Sequence, residues 1–278
     1  QIPQILLLFV PQISNQLYKM LDTTMIGKII SDKAETGYYE QAQKVTRLLL
    51  TIVTSLGTVM IPRMASTFAS GDKEKVKAYM KNSFHFVFFL SFPMMFGISS
   101  IAKAFVPIFF GLGYDKVVIL IKIISPIILL MGVANVIGTQ YLLPTKRQKE
   151  YTISIVVGTV FNFVLNYILI SKFASVGASI ATVLSQVIVD GMQFYAIRND
   201  ISFIEVLKYT YKYLIASIIM FIACSLSQFI VASGIASIIL QVVIGVIIYM
   251  GALILLKEDY VYYFINKIKE RFLKQEVK

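Results

Sequence analysis

At 278 residues the chain is 57% hydrophobic and only 15% charged, with a mean hydropathy of +0.76, whereas a soluble globular chain carries about 25% charged residues. Its 26 Lys and Arg and 15 Asp and Glu are too few to cover a water-facing surface, which excludes an ordinary cytosolic enzyme and leaves most of the chain facing lipid. One cysteine, Cys224, excludes an intramolecular disulfide, and with one histidine, His85, it excludes a Cys or His structural zinc site.

Apolar runs of about 20 residues predict about eight transmembrane helices, over 5–30, 38–61, 84–110, 117–143, 152–170, 176–197, 213–231 and 235–256. Blocks such as ILLLFV, FVFFLSF and IILLMGV do not alternate, so an outer-membrane barrel is not expected and the fold class is all-α integral membrane. The first span carries Gln12, Asn15, Gln16, Lys19, Asp22 and Thr23. In the second, Glu40, Lys44, Arg47, Thr51, Thr54, Ser55 and Thr58 fall within about 60° of one line on a helix. A charge at a helix centre in the membrane costs about 2.5–3.5 kcal/mol. Lys19, Asp22, Lys44 and Arg47 are therefore expected to face one another or water. Weaker stripes follow in Asn135 with Thr139, Asn162 with Asn166, and Ser179, Thr182, Gln186, Asp190 and Gln193.

Converging stripes would line a hydrated cavity. The alternative is that they are interhelical hydrogen bonds, with Lys19 and Asp22, and Glu40 and Lys44, satisfying each other along their own helices. Asp190, near a span end, pairs with Arg198, simply snorkels, or takes part in ion coupling. His85 opens the third span and reads as structural, with a proton relay as the alternative. Pro11, Pro93, Pro107 and Pro126 predict kinks. Gly37 suits the reversal into the second helix, Pro62 its end, and Gly177 with Ala181 a close helix approach.

Most Lys and Arg sit in one alternating set of connections, 63–81, 146–149, 198–212 and 257–278, against Lys28, Lys33, Lys103, Lys116, Lys122 and Lys172 on the other side. By the positive-inside bias both termini are expected in the cytoplasm, and the net charge of +11 reads as membrane topology, not as a nucleic-acid stripe. Past the last span, Val261, Phe264, Ile265, Ile268 and Phe272 recur at helical spacing opposite Lys267, Glu270, Arg271 and Lys274, which predicts an amphipathic helix on the inner leaflet, with a solvated tail as the alternative. No HExxH, GxSxG or GxxxxGK[ST] motif is present, so movement is expected, not catalysis, and neither cofactor nor metal is called for. The chain begins at Gln1 without an initiator Met or a signal-peptide pattern and reads as a piece of something longer.

Several patterns resemble the second half of bacterial oligosaccharide flippases, the polysaccharide-transporter branch of the superfamily that includes multidrug and toxin extrusion (MATE) proteins. They are LYKMLDTTMIGKI followed by ETGYYEQAQKV, then VMIPRMA, LPTKRQKEYTIS, and FNFVLNYILI running into VGASIATVLSQ. The resemblance covers nearly the whole chain. It implies a two-lobed fold of about 14 helices with the substrate between the lobes, this chain supplying helices seven to fourteen. On that reading 1–198 is the second-lobe six-helix bundle, 199–256 adds two C-terminal transmembrane helices, 257–278 is a cytoplasmic amphipathic tail, and the N-terminal lobe is missing.

The resemblance further implies that an undecaprenyl-diphosphate-linked oligosaccharide moves from inner to outer leaflet of a bacterial cytoplasmic membrane by alternating access, for capsule, O-antigen or exopolysaccharide synthesis. Membrane lipids, a polysaccharide polymerase and chain-length machinery are the implied partners. By position Lys44 and Arg47 match the cationic cavity site; Lys19, Asp22, Asn15, Glu40 and Thr51 join them as substrate-binding residues, Asp190 is the ion-coupling candidate, and the pair of helices in 213–256 forms a groove for the lipid tail. The competing readings are a MATE-like drug or cation exporter, whose cavity would be acidic, and a membrane polysaccharide polymerase or acyltransferase, which would need a large outer loop.

Overall fold

The computed structural model describes residues 20–227 and 234–262, and every regular element among them is helical. Residues 20–29 are the described part of α1. They are followed by α2 (Ala34–Thr54), α3 (Leu56–Ala69), α4 (Lys73–Phe110), α5 (Asp115–Ile124), α6 (Ile127–Ala134), a π-helix (Asn135–Leu142), α7 (Gln148–Ile197), α8 (Phe203–Ser227) and α9 (Ile235–Leu255). Among the described residues, six stretches are long and apolar enough to cross a membrane: α2 with α3, α4, α5 through the π-helix, α7, α8 and α9. Within the described residues every expected span coincides with one of these helices or with part of one, the first from residue 20 onward and the seventh up to residue 227. Asn15, Lys19, Pro11 and most of the expected amphipathic tail lie outside the described residues.

Straight, the 50 residues of α7 would measure about 75 Å, more than twice the hydrocarbon core. The chain instead reverses at Ala174 (φ 49°, ψ −130°) and folds into two antiparallel legs. Gln193 Nε2 donates across them to Ser154 Oγ at 3.2 Å. Gly158 lies against Val189, and Gly177 so close to the Leu169 carbonyl that a Cβ would stand 2.2 Å from its oxygen. Small residues thus bring the legs together, as the Gly177 and Ala181 spacing suggests. The left-handed backbone of a non-glycine residue at the reversal costs about 1–2 kcal/mol. Glu35 at the start of α2 offsets it by accepting from Ser175 N (3.1 Å) and Ser175 Oγ (2.6 Å) while it pairs with Lys116 of α5.

Several local expectations are corrected. The reversal before α2 falls at residues 30–33, where Asp32 Oδ1 accepts from Ala34 N at 2.9 Å; Gly37 lies inside the helix. Pro62 does not end its helix either, because α3 runs on to Ala69. The break between α2 and α3 comes at Ser55, where Thr51, Thr54, Ser55 and Thr58 turn their hydroxyls onto carbonyls of the preceding turn, a pattern that bends helices. The basic stretches 63–81 and 198–212 are mostly helix ends, with only residues 70–72 and 198–202 as connections. Pro126 separates α5 from α6, whereas α4 continues through Pro93 and Pro107.

The core is built around α4, which packs on α2, α3, α5, α6, α8 and α9. Phe84, Val87, Phe88 and Phe92 on its inner face meet Tyr213, Ala216 and Met220 of α8 and Val133, Val136 and Ile137 near the π-helix within one buried cluster. With lipid as the outer solvent such contacts gain from packing more than from exclusion of water. α8 and α9 pack on each other and on α4.

Candidate functional site

α2 buries Tyr39, Ala42, Val45, Thr46 and Val53 against the bundle. Glu40, Lys44, Arg47, Thr51, Ser55 and Thr58 lie on its exposed side, with Thr54 half-buried beside them. The hydroxyls are satisfied by the helix's own carbonyls, so the charged groups are what this face offers a ligand. Among the described residues no acid lies within 4.0 Å of Lys44 or Arg47, and Glu40 and Lys44 form no ion pair. Arg47 carries a planar fork suited to two oxygens of one phosphate, Lys44 a compact charge one turn away.

The other polar stripes divide into glue and cavity. Asp22 is 2% exposed, and Tyr39 Oη (2.5 Å), Asn166 Nδ2 (2.5 Å) and Thr182 Oγ1 (2.9 Å) all donate to it, tying α1, α2 and both legs of α7 together. Gln43 Nε2 adds a bond to Tyr39 Oη at 2.6 Å. Asp22 therefore turns inward, away from the α2 stripe. Its shell is made of neutral donors, which satisfy its oxygens and fix the crossing of these elements.

Thr54, Asn135, Thr139, Tyr151, Gln186 and Gln193 instead line a cavity of about 180 Å³ between α2, the π-helix and α7. The π-helix widens the turn that presents Asn135 and Thr139 there, a common use of this geometry. Gln186 Nε2 donates to Asp190 Oδ1 at 3.0 Å, and Asp190 Oδ2 is buried without a hydrogen-bond partner among the described residues. The expected pairing with Arg198 does not form: Arg198 donates to Tyr195 O at 2.6 Å and stacks over the Tyr195 ring at 3.9 Å.

Two features escaped sequence reasoning. Tyr39 gave no signal beyond its place on the apolar side of α2. At the basic end of the bundle, His85 of α4 joins Tyr213 of α8 (2.8 Å), whose hydroxyl donates to Glu258 beyond α9 at 3.1 Å. With the Tyr213 proton spent on Glu258, His85 Nδ1 is the donor to Tyr213. Lys212 Nζ lies 3.3 Å from Glu258 Oε2 and donates to the Lys257 carbonyl at 2.8 Å. Burial pushes the Glu258 carboxyl up, but the His85, Lys212 and Tyr213 interactions outweigh it and hold the carboxyl below its ordinary value. An apolar slot of about 430 Å³ runs between α4, α8 and α9, lined among others by Phe89, Met94, Met220 and Val246.

Residues 6–119 match the family model described as "Polysaccharide biosynthesis protein". A protein of Haloferax volcanii described as a low-salt glycan biosynthesis flippase is 26% identical over 63% of this chain and 37% of its own length. An Escherichia coli K12 protein described as an O-antigen transporter is 24% identical over 69% of this chain and 46% of its own length. The solved structure of the lipid II flippase MurJ in an inward closed conformation superposes with a TM-score of 0.76 at 17% identity, over 91% of this chain and 53% of that one. The chain thus spans about half or less of the length of these three proteins. In sequence the chain is similar to flippases and transporters of polysaccharide biosynthesis, and in fold to one part of a MurJ-type flippase.

Proposed function

We propose that this chain is the second lobe of a flippase that carries an undecaprenyl-diphosphate-linked oligosaccharide from the inner to the outer leaflet of a bacterial cytoplasmic membrane, feeding capsule, O-antigen or exopolysaccharide synthesis. The observation that carries the reading is the exposed pair Lys44 and Arg47, on one face of α2 with no acid at hand among the described residues. A diphosphate crossing a low-dielectric region needs fixed cationic partners, because its own hydration is lost there. Left against acyl chains the two charges would cost on the order of 5–7 kcal/mol together. They face a hydrated cavity closed by another lobe.

In this mechanism Arg47 grips the diphosphate, Lys44 balances the remaining charge, and Glu40 and Thr51 flank them. Lys19 and Asn15 contribute from the first span. Asp22 holds the first span to α2 and α7 instead of contacting sugar or phosphate. Asp190, bonded to the cavity residue Gln186 and with its other oxygen unpartnered among the described residues, is the ion-coupling group. Both termini of the chain are cytoplasmic, the α4–α8–α9 slot takes the polyprenyl tail, and rocking of two lobes about the bound headgroup exposes it to each leaflet in turn. Polymerase and chain-length machinery receive the product outside. A cation exporter would need acids where Lys44 and Arg47 stand.

In the full-length protein, Arg47→Ala abolishes surface polysaccharide in a complemented null strain at unchanged protein level, and Arg47→Lys keeps partial export. Normal export by the alanine variant refutes the site.

A further inference from the structure

Two turns of α2 separate Arg47 from Thr54, about 10.5 Å along the axis and about 20° around it, so both lie on one face of the helix. Thr54 also belongs to the wall of the cavity of about 180 Å³ between α2, the π-helix and α7. The charged stripe and the cavity therefore share a residue. The wall runs from half-buried Thr54, Asn135, Thr139 and Tyr151 to buried Gln186 and Gln193, as in a recess open at one side. Among the described residues no charged side chain lines it.

The polar groups on this wall are part donors and part acceptors. Thr54 spends its proton on the Leu50 carbonyl at 3.0 Å and keeps its oxygen as an acceptor. Gln186 and Gln193 commit their nitrogens to Asp190 and Ser154, and Gln193 Oε1 is buried without a hydrogen-bond partner among the described residues. Asn135 Oδ1 accepts from Gln140 Nε2 at 2.9 Å, which leaves the Asn135 nitrogen as a donor; the Thr139 hydroxyl can do either and has no hydrogen bond among the described residues. Two glycines let these groups approach. A Cβ at Gly138 would stand 2.6 Å from the Tyr151 ring and 3.1 Å from Gln193 Nε2, and one at Gly57 2.9 Å from Asn135 Oδ1. An anion would call for donors or cations, and a cation for acceptors or a carboxylate. A neutral ring bearing hydroxyls matches the mixture, because every hydroxyl gives one hydrogen bond and takes others. The volume equals that of about six waters, enough for one sugar ring and too little for a chain of them.

We propose that this recess is a sugar-reading subsite, which takes one uncharged, hydroxyl-bearing residue of the lipid-linked oligosaccharide while Lys44 and Arg47 hold the diphosphate two turns away. The inference rests on the flippase reading and adds the part of the lobe that tells one repeat unit from another. A separation of two helical turns suits a sugar close to the diphosphate, not the far end of the repeat. Discrimination follows from burial. A sugar with a hydroxyl missing or wrongly oriented leaves Gln193 Oε1 or the Asn135 nitrogen unanswered, and sites built on such pairing reject the mismatched ligand strongly. Thr139 and Gln193 thus determine specificity, whereas Lys44 and Arg47 serve every diphosphate alike.

The test is a titration of the purified full-length protein in detergent with farnesyl diphosphate and with four conjugates in which it carries glucose, galactose, N-acetylglucosamine or N-acetylgalactosamine. At least one conjugate is expected to bind at least tenfold more tightly than farnesyl diphosphate, and the four to differ among themselves by at least fivefold. Thr139→Val takes no described hydrogen bond from the fold, and Gln193→Met keeps the length of the side chain. Each reduces the gain from the sugar at least fivefold with an unchanged size-exclusion profile, while farnesyl diphosphate stays within twofold of the parent. Arg47→Ala does the reverse and weakens all five ligands by a common factor. Four conjugates that bind no more tightly than farnesyl diphosphate show a recess that holds water only and overturn the subsite. A sugar gain within twofold of the parent's in both variants overturns it as well, and so does a loss for farnesyl diphosphate as large as for the conjugates, which would place the effect in the fold. A Thr139-dependent sugar gain in a protein whose Arg47→Ala variant exports normally leaves the subsite standing while the cationic site falls; Arg47-dependent diphosphate binding without a sugar gain does the opposite.

Discussion

The hairpin of α7 carries Asp190, Gln186 and Gln193 on one leg and Asn162 and Asn166 on the other, so its closure decides whether the polar groups meet. Gly158 is a close point of that closure away from the reversal: a Cβ there would stand 2.2 Å from Val189 Cγ2, with the Ser185 carbonyl oxygen at 3.6 Å and Val189 Cβ at 3.7 Å. Gly158→Ala therefore collides with one methyl group and with nothing else nearby. Overpacking of this kind costs about 1–3 kcal/mol. Val189→Ala alone removes two buried methyl groups, at about 0.8 kcal/mol per carbon plus a cavity. In the double variant the methyl group introduced at position 158 moves into the space those methyl groups leave. Its remaining neighbours sit at ordinary contact distances.

The two costs should then cancel in part, giving a favourable coupling of about 1–3 kcal/mol between adjacent sites. Thermal unfolding in detergent can be followed with a thiol-reactive dye, because Cys224, the chain's one cysteine, is 2% exposed and reports only when the fold opens. Gly158→Ala should melt several degrees below the parent, and Gly158→Ala/Val189→Ala should melt above Gly158→Ala. A double variant that melts at or below the Gly158→Ala single would show that these legs do not meet in this register.

Asp22→Ala removes the shared acceptor of Tyr39, Asn166 and Thr182, which keep Thr182 Oγ1, Asn162 Oδ1 and the Ala178 carbonyl as second acceptors; the loss of three bonds to a carboxylate, at about 1.5–3 kcal/mol each before such compensation, should lower the yield of folded protein, with Asp22→Asn milder. Wild-type stability in Asp22→Ala would contradict the buried cluster. The Glu258 carboxyl is held below its ordinary value of 4.5, so its stabilising contribution is complete above about that pH and falls away as pH drops through the lower native value. The melting temperature should thus fall between pH 6 and pH 3.5 by more in the parent than in Glu258→Gln, and equal acid losses would count against the His85–Tyr213–Glu258 cluster.

Membrane insertion, helical class and the polar side of α2 were legible in the sequence, because each depends on local arithmetic. Some 20 apolar residues must be helical in lipid to satisfy their backbone, and residues spaced along one helix share a face wherever that helix packs. The Lys44 and Arg47 stripe is of this kind. Helix boundaries were less legible: Gly37 and Pro62 carried turn propensity that the continuing hydrogen-bond ladder overrode, and four hydroxyls near Ser55 supplied the bend instead.

Only the tertiary structure decided which polar stripes became glue and which lined a cavity. Asp22 and Asp190 read alike along the chain, each an acid in a polar stripe with one basic residue in reach, Lys19 and Arg198. Asp22 was closed off by Tyr39, Asn166 and Thr182 from other elements, while Asp190 kept a buried oxygen without a partner among the described residues and bonds Gln186, which lines the cavity. The same holds for Arg63, Lys81 and Lys208, scattered as topology signals in sequence and gathered around one chamber by the crossing of α3, α4 and α8. Spacing along a helix fixes the direction of a side chain relative to its own axis; what stands opposite depends on how the axes cross, which long-range packing alone determines.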